Sequence, residues 1–234
     1  VGDLDSDMLV AEADRPAVKS LHEALVPRPL TEEERDEAWR AANFYSATSD
    51  NAGPVALWIL GPSSVGKSTL TAAVGGEFDI PPATDEEGKP RGVDTVKDGS
   101  PPSPQGSGGT GVGEDVRQQL DAVVVDGEFM RDAHAVWQEW VRTDDWRSAY
   151  PQLKSIINKE KDRMQDAAVL ERKHLVIPHT MLNLGKGLTE LAKLEGRGYT
   201  NHVLAVVAPL DECQRRGNAR EVSTGKRYQP SEYE

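Results

Sequence analysis

The chain has 234 residues and a formal net charge of -12 at pH 7, which suits one large α/β domain with its own core and argues against nucleic-acid binding, since that normally needs a basic face. Its one cysteine, Cys213, excludes an internal disulfide and a cysteine-based zinc site. No apolar run reaches the length of a membrane span and no signal-peptide pattern opens the chain, so the expected compartment is the cytoplasm, with the start at Val1 leaving room for an upstream segment.

Residues Val1 to Pro29 are acidic and mixed, with an amphipathic helix expected over Leu21, Leu25 and Val26 and stopped by Pro27 and Pro29. Thr31-Glu32-Glu33-Glu34 is a capping box, with Thr at the N-cap and Glu three residues on. The helix it opens is expected to reach about Phe44. Together these helices make an N-terminal arm over 1–53, packed on a second unit over 54–234.

Val55 to Leu60 is a short apolar run that stops at Gly61. Gly61-Pro62-Ser63-Ser64-Val65-Gly66-Lys67-Ser68 then fits G-x-x-x-x-G-K-[ST], and a helix-forming run follows from Thr69. Strand, Gly-rich loop and helix are the context that a phosphate-binding loop requires. Gly61 and Gly66 allow dihedrals and a close approach that a Cβ would block. The amides around Ser64, Val65, Gly66 and Lys67 then converge on a β-phosphate at the helix N-terminus, with Ser68 and Thr69 completing the cradle. Lys67 adds charge near the β- and γ-phosphates, and Ser68 offers its hydroxyl to Mg²⁺.

Pro81 to Gly113 is dominated by Pro, Gly, Ser and charge. It holds too little apolar surface to order itself and reads as a mobile insertion, a tolerated surface loop before a lid. A helix is expected over Val116 to Leu120 and a second strand over Ala122 to Val125, ending in Asp126-Gly127-Glu128-Phe129-Met130-Arg131. Trp137 and Trp140, three apart, are expected to share one buried helix face. A long charged helix over Ser155 to Glu171 leads to a third strand, His174 to Ile177, closed by Pro178-His179-Thr180. Next come a helix over Leu184 to Leu194, a fourth strand over His202 to Ala208, and a last helix with Arg215, Arg216 and Arg220. Short apolar strands alternating with helices predict an α/β fold, a parallel sheet wrapped on both faces.

In such a sheet ligands bind beyond the carboxyl ends of the strands. Three strand ends carry polar groups: the P-loop, Asp126 with Glu128, and Thr180. Two carboxylates one residue apart can divide two tasks, holding Mg²⁺ and accepting a proton from an attacking hydroxyl. The competing reading makes Asp126 a turn cap and Glu128 a solvated charge.

The order GxxxxGKS, VVVDGEFMRDAH, LVIPHT, GRGYTNHVLAVVAP and a late Arg-bearing helix resembles the zeta-toxin family of P-loop kinases, over about Pro54 to Tyr228. The resemblance implies a P-loop nucleoside-triphosphate kinase fold of about five parallel strands. It implies phosphorylation of UDP-N-acetylglucosamine or a related nucleotide sugar from ATP or GTP with Mg²⁺, and an antitoxin-like protein inhibitor as partner. It places the catalytic carboxylate at Glu128, where the family usually has Asp, with Lys67 and the phosphate-binding arginines Arg220 and Arg227 beside it. Asp126 falls to metal and substrate, and Arg131, His134, Thr180 and either Asp166 or Asp162 to the acceptor. Two positions depart from the pattern: Ala135 replaces a usual Pro, and Pro178 replaces an acidic residue. The Asp-Gly-acidic-x-x-Arg run also resembles adenylylsulfate kinases. A nucleotide-dependent switch without a metabolite acceptor is the alternative of another class, though a switch needs no base and no second phosphate clamp.

Overall fold

The run Val55–Leu60 forms β1, and five of its six side chains are buried. A strand buried on both faces has to lie inside a sheet. The computed structural model, which describes residues 26–49, 53–67, 70, 78–84, 120–142 and 146–224, places it there. β2 (Val123–Val124), β3 (Leu175–His179) and β4 (Thr200–Ala205) complete an all-parallel sheet in the order β2-β3-β1-β4. That is four strands among the described residues, where about five were expected. β4 begins and ends earlier than the expected His202 to Ala208, because its ladder runs level with β1 from Val55 opposite Thr200 to Leu60 opposite Ala205.

Helices surround the sheet: α1 (Glu32–Ala41), α2 (Gly127–Ala133), α3 (Ala135–Arg142), α4 (Trp146–Leu170), α5 (Leu184–Glu195) and α6 (Leu210–Thr224). α4 starts well before the expected Ser155 and continues through Pro151. Trp137 and Trp140 are 1 % and 0 % exposed and belong to the core, with Met164 and Ala168 of α4. Among the described residues no helix is long and apolar enough to cross a membrane.

The expected first helix lies outside the described residues, apart from Val26. The insertion beyond residue 84 and the expected Val116 to Leu120 helix before Leu120 also lie outside them. The remainder of the arm is built into the sheet. The carbonyl of Ala42 accepts the Val124 amide at 3.0 Å, and Asn43, at φ 63°, donates from Nδ2 to the carbonyls of Leu120 and Ala122 at 3.0 and 3.1 Å. These bonds satisfy the side of β2 that faces away from β3, an edge otherwise open to pairing. Lys173 fixes the same segment, donating to the Phe44 carbonyl at 2.6 Å with its ammonium 4.5 Å from the Phe44 ring centre.

The capping box forms: Thr31 Oγ1 accepts from the Glu34 amide at 3.2 Å and Glu34 accepts from the Thr31 amide at 2.8 Å. Glu34 also accepts from both terminal nitrogens of Arg28, at 2.6 and 2.7 Å, and from the Ala135 amide at 2.9 Å.

Candidate functional site

The strand order fixes where a ligand can sit. From β1 the chain crosses β3 to reach β2, and from β3 it crosses back over β1 to reach β4. The connections therefore diverge between β1 and β3, and beyond the carboxyl ends of two such strands is where parallel sheets form their ligand crevice. The P-loop leaves β1 there, and His179 and Thr180 end β3 beside it, with the Gly61 amide donating to the His179 carbonyl at 3.2 Å.

Gly61 has φ +154°, and a Cβ on it would stand 2.6 Å from the Val206 carbonyl oxygen. Gly66 has φ +104° and Ser64 φ 63°. The loop is thus wound by residues in conformations that side chains disfavour. The Leu70 amide reaches the Gly66 carbonyl at 3.1 Å. Lys67 Nζ arches over the loop and donates to the carbonyls of Gly61 and Pro62, both at 2.7 Å. Ser68 and Thr69 lie outside the described residues.

Asp126 ends β2 and caps α2, its Oδ1 accepting from the Glu128 amide at 3.0 Å. The residue type fits Mg²⁺, which takes one or two protein carboxylates besides phosphate oxygens and waters. Among the described residues no cluster of three or more His, Cys, Asp or Glu could hold a metal. Glu128 differs from a solvated charge: it is 8 % exposed, and its Oε2 contacts Nη2 of Arg220 directly and stands 4.0 Å from Nη2 of Arg131. The two guanidinium groups offset the cost of burying the carboxylate. Arg131 is itself buried, with its guanidinium 5.7 Å from the Trp137 ring centre and an Nε that makes no hydrogen bond.

α6 brings Arg220 in. One turn earlier on the same helix Arg216 places Nη1 3.5 Å from the Val65 carbonyl, and the same nitrogen stands 3.6 Å from where a Cβ on Gly66 would be. Glu212 steadies that end, accepting from Arg215 at 2.8 Å and from Arg216 at 2.6 Å. These bonds, that of Arg215 foremost, pull the Glu212 carboxyl down to about 2. α6 therefore touches the P-loop and Glu128 at once.

Three expected acceptor residues are placed differently from the rest. His134 is 0 % exposed; its Nε2 bonds the Arg28 carbonyl at 3.0 Å and its Nδ1 accepts from the Val136 amide at 3.3 Å. With both ring nitrogens occupied it fastens the arm to α2 and does not face the crevice. Burial lowers its pKa. Asp166 has a 67 % exposed side chain paired with Lys193 at 3.2 Å. Lys193 belongs to the last turn of α5, just before β4 begins, so Asp166 lies at the opposite end of the sheet from the P-loop. Arg131 stands behind Glu128 and away from solvent. Thr180 is half-buried at the crevice, and Arg227 lies outside the described residues.

His179 and Arg216 carry no role in the sequence reading. His179 accepts from the Met181 amide on Nδ1 at 2.9 Å, which leaves the proton on Nε2, and packs edge-on to Trp58 at 6.0 Å. Its pKa is lowered by burial first and then by Lys161, Lys186 and Lys67. The signal available in sequence was its place at a strand end; for Arg216 it was the local cluster of basic residues.

No protein-family model matches the sequence, and no curated protein does. The fold is similar to a solved structure from the PezAT chromosomal toxin-antitoxin system of Streptococcus pneumoniae, with a TM-score of 0.51 at 15 % sequence identity, over 84 % of this chain and 67 % of that one. The likeness to the zeta-toxin family thus extends to the fold.

Proposed function

We propose that the chain is a nucleoside-triphosphate-dependent small-molecule kinase, with ATP or GTP as donor and a sugar hydroxyl of a nucleotide sugar such as UDP-N-acetylglucosamine as acceptor. The observation that carries the reading is the reach of α6, which lays Arg216 on the P-loop and Arg220 on Glu128. The fold shared with a toxin-antitoxin protein supports it.

In this mechanism the loop amides from Ser64 to Lys67 hold the β-phosphate, and Lys67 exchanges its two loop carbonyls for phosphate oxygens. Mg²⁺, held by Ser68 and Asp126, would neutralise charge on the β- and γ-phosphates. Glu128 takes the proton of the acceptor hydroxyl as its oxygen bonds to the γ-phosphorus and the bond to the bridging oxygen of the nucleoside diphosphate breaks. Arg220, with Arg227 as second clamp, stabilises charge on the phosphoryl oxygens. Thr180 contacts the acceptor. The partner implied is an antitoxin-like inhibitor, and the compartment is the cytoplasm.

Incubation with ATP or GTP, Mg²⁺ and a panel of nucleotide sugars should give a phosphate-sized mass gain on one acceptor. Lys67→Ala should abolish the gain while the melting temperature holds. Transfer to none of the acceptors, or unchanged turnover in Lys67→Ala, would sink the proposal.

A further inference from the structure

We infer that Arg220 is shared between Glu128 and the transferring phosphoryl group, so that loading of the P-loop with a nucleoside triphosphate withdraws the guanidinium and exposes the carboxylate to the acceptor. The inference rests on the kinase reading and concerns the order in which its parts become active.

The geometry sets up a competition. Arg220 side chain is 27 % exposed and lies on Oε2 of a carboxylate whose own side chain is 11 % exposed. A guanidinium on that oxygen covers one of the two oxygens to which an acceptor hydroxyl can deliver its proton. A triphosphate in the cradle presents several anionic oxygens, and a guanidinium pairs with phosphate in the same forked geometry as with a carboxylate. The denser charge wins the contest. α6 already lies against the loop one turn from Arg220, through Arg216 at Val65.

Withdrawal of Arg220 would strand a buried carboxylate, which is costly unless another charge remains. Arg131 supplies it. Its Nη2 stands 4.0 Å from Oε2, and Trp137 backs its guanidinium. Arg131 is a positioning residue in this scheme: it holds Glu128 in place by charge, at a distance longer than a direct hydrogen bond. Without nucleotide Glu128 would stay covered by Arg220. An acceptor arriving first would find that oxygen covered, and phosphoryl transfer would run faster when the triphosphate binds before it.

A binding cycle tests this. With the full chain, Mg²⁺ and a non-hydrolysable ATP analogue, calorimetry should show Glu128→Gln binding about tenfold tighter than wild type, equivalent to about 1.4 kcal/mol, because Arg220 no longer has to leave a charge. In an Arg220→Ala background the same substitution should give no gain, as coupled residues depart from additivity. An unchanged or weaker Glu128→Gln, or a gain that persists without Arg220, overturns the inference. The wild-type chain gives a second measurement that needs no variant to fold. Carbodiimide-driven amine labelling of Glu128 should be slow alone and faster with the analogue and Mg²⁺; unchanged or slower labelling overturns it. If the wild type binds the analogue no better than Lys67→Ala does, the kinase reading fails as well. Failure of the cycle with Lys67-dependent binding intact removes only the shared arginine.

Discussion

Two glutamates of this chain, Glu34 and Glu128, are each 8 % exposed and each lie on an arginine. Their surroundings differ. Glu34 takes both partner nitrogens of Arg28 and the amides of Thr31 and Ala135. Its carboxyl falls from 4.5 to about 2, through the Arg28 hydrogen bonds foremost, with the two amides adding to the effect. Two of those donors are backbone amides that have no other place to go. Glu128 meets Arg220 from a helix 92 residues away and keeps Arg131 at a distance. A carboxylate held by fixed amides is a joint. One held by guanidinium groups of two helices, that of Arg220 part-exposed, can exchange partners, which the proposed base requires.

The largest effect that would break this contrast is on the rate. Glu128→Gln keeps shape and hydrogen bonding but cannot take a proton, so kcat should fall by about 10²–10⁴-fold. The melting temperature should change far less than in Glu34 variants. Steady-state transfer assays and thermal melts check both halves, and an unaffected kcat would make Glu128 a second joint.

Glu34→Ala should do the reverse. It removes the capping-box acceptor and strands Arg28 and the Ala135 amide, at a cost of roughly 2–4 kcal/mol of stability. The affinity for ATP, measured under conditions where the variant is folded, should stay the same. A loss of ATP affinity without a loss of stability would place Glu34 in the active site.

Acid should act on the joint in two stages. Burial lowers the His134 pKa, so the unfolded chain takes up that proton first and stability should begin to fall as the pH drops below the ordinary value of about 6.5. The Glu34 contribution is complete above pH 4.5 and is lost as the pH falls from there toward 2. Denaturant melts across that range should show the upper stage shrink in His134→Phe, with the remainder from His179, whose pKa burial also lowers. An upper stage of unchanged size would take His134 out of the joint.

The smallest effect belongs to Asp166, on an exposed pair with Lys193. Asp166→Asn should leave transfer unchanged and stability within about 1 kcal/mol. A raised KM for the acceptor would return it to the site.

The P-loop was legible because its chemistry is contiguous. Gly61 and Gly66 satisfy demands on the backbone that arise within eight residues, and the strand before them is apolar without interruption. The capping box at Thr31 and Glu34 was legible for the same reason, since each partner lies within one helical turn. What else Glu34 holds was not, because the Ala135 amide reaches it from 101 residues away and Arg28 from the segment before the helix.

By itself the sequence determined the approximate places of the four described strands, the parallel α/β class and the glycine-rich loop after β1, all consequences of local dihedral preference and apolar runs. Only the tertiary structure decided which charges meet. It turned His134 inward to bond the carbonyl of Arg28 and left Asp166 at the far end of the sheet with Lys193. It set Arg220 on Glu128, and one helical turn away set Arg216 on the P-loop. Spacing along a chain says which residues share a helix face, but the direction of that face is fixed by the packing of the helix on the sheet.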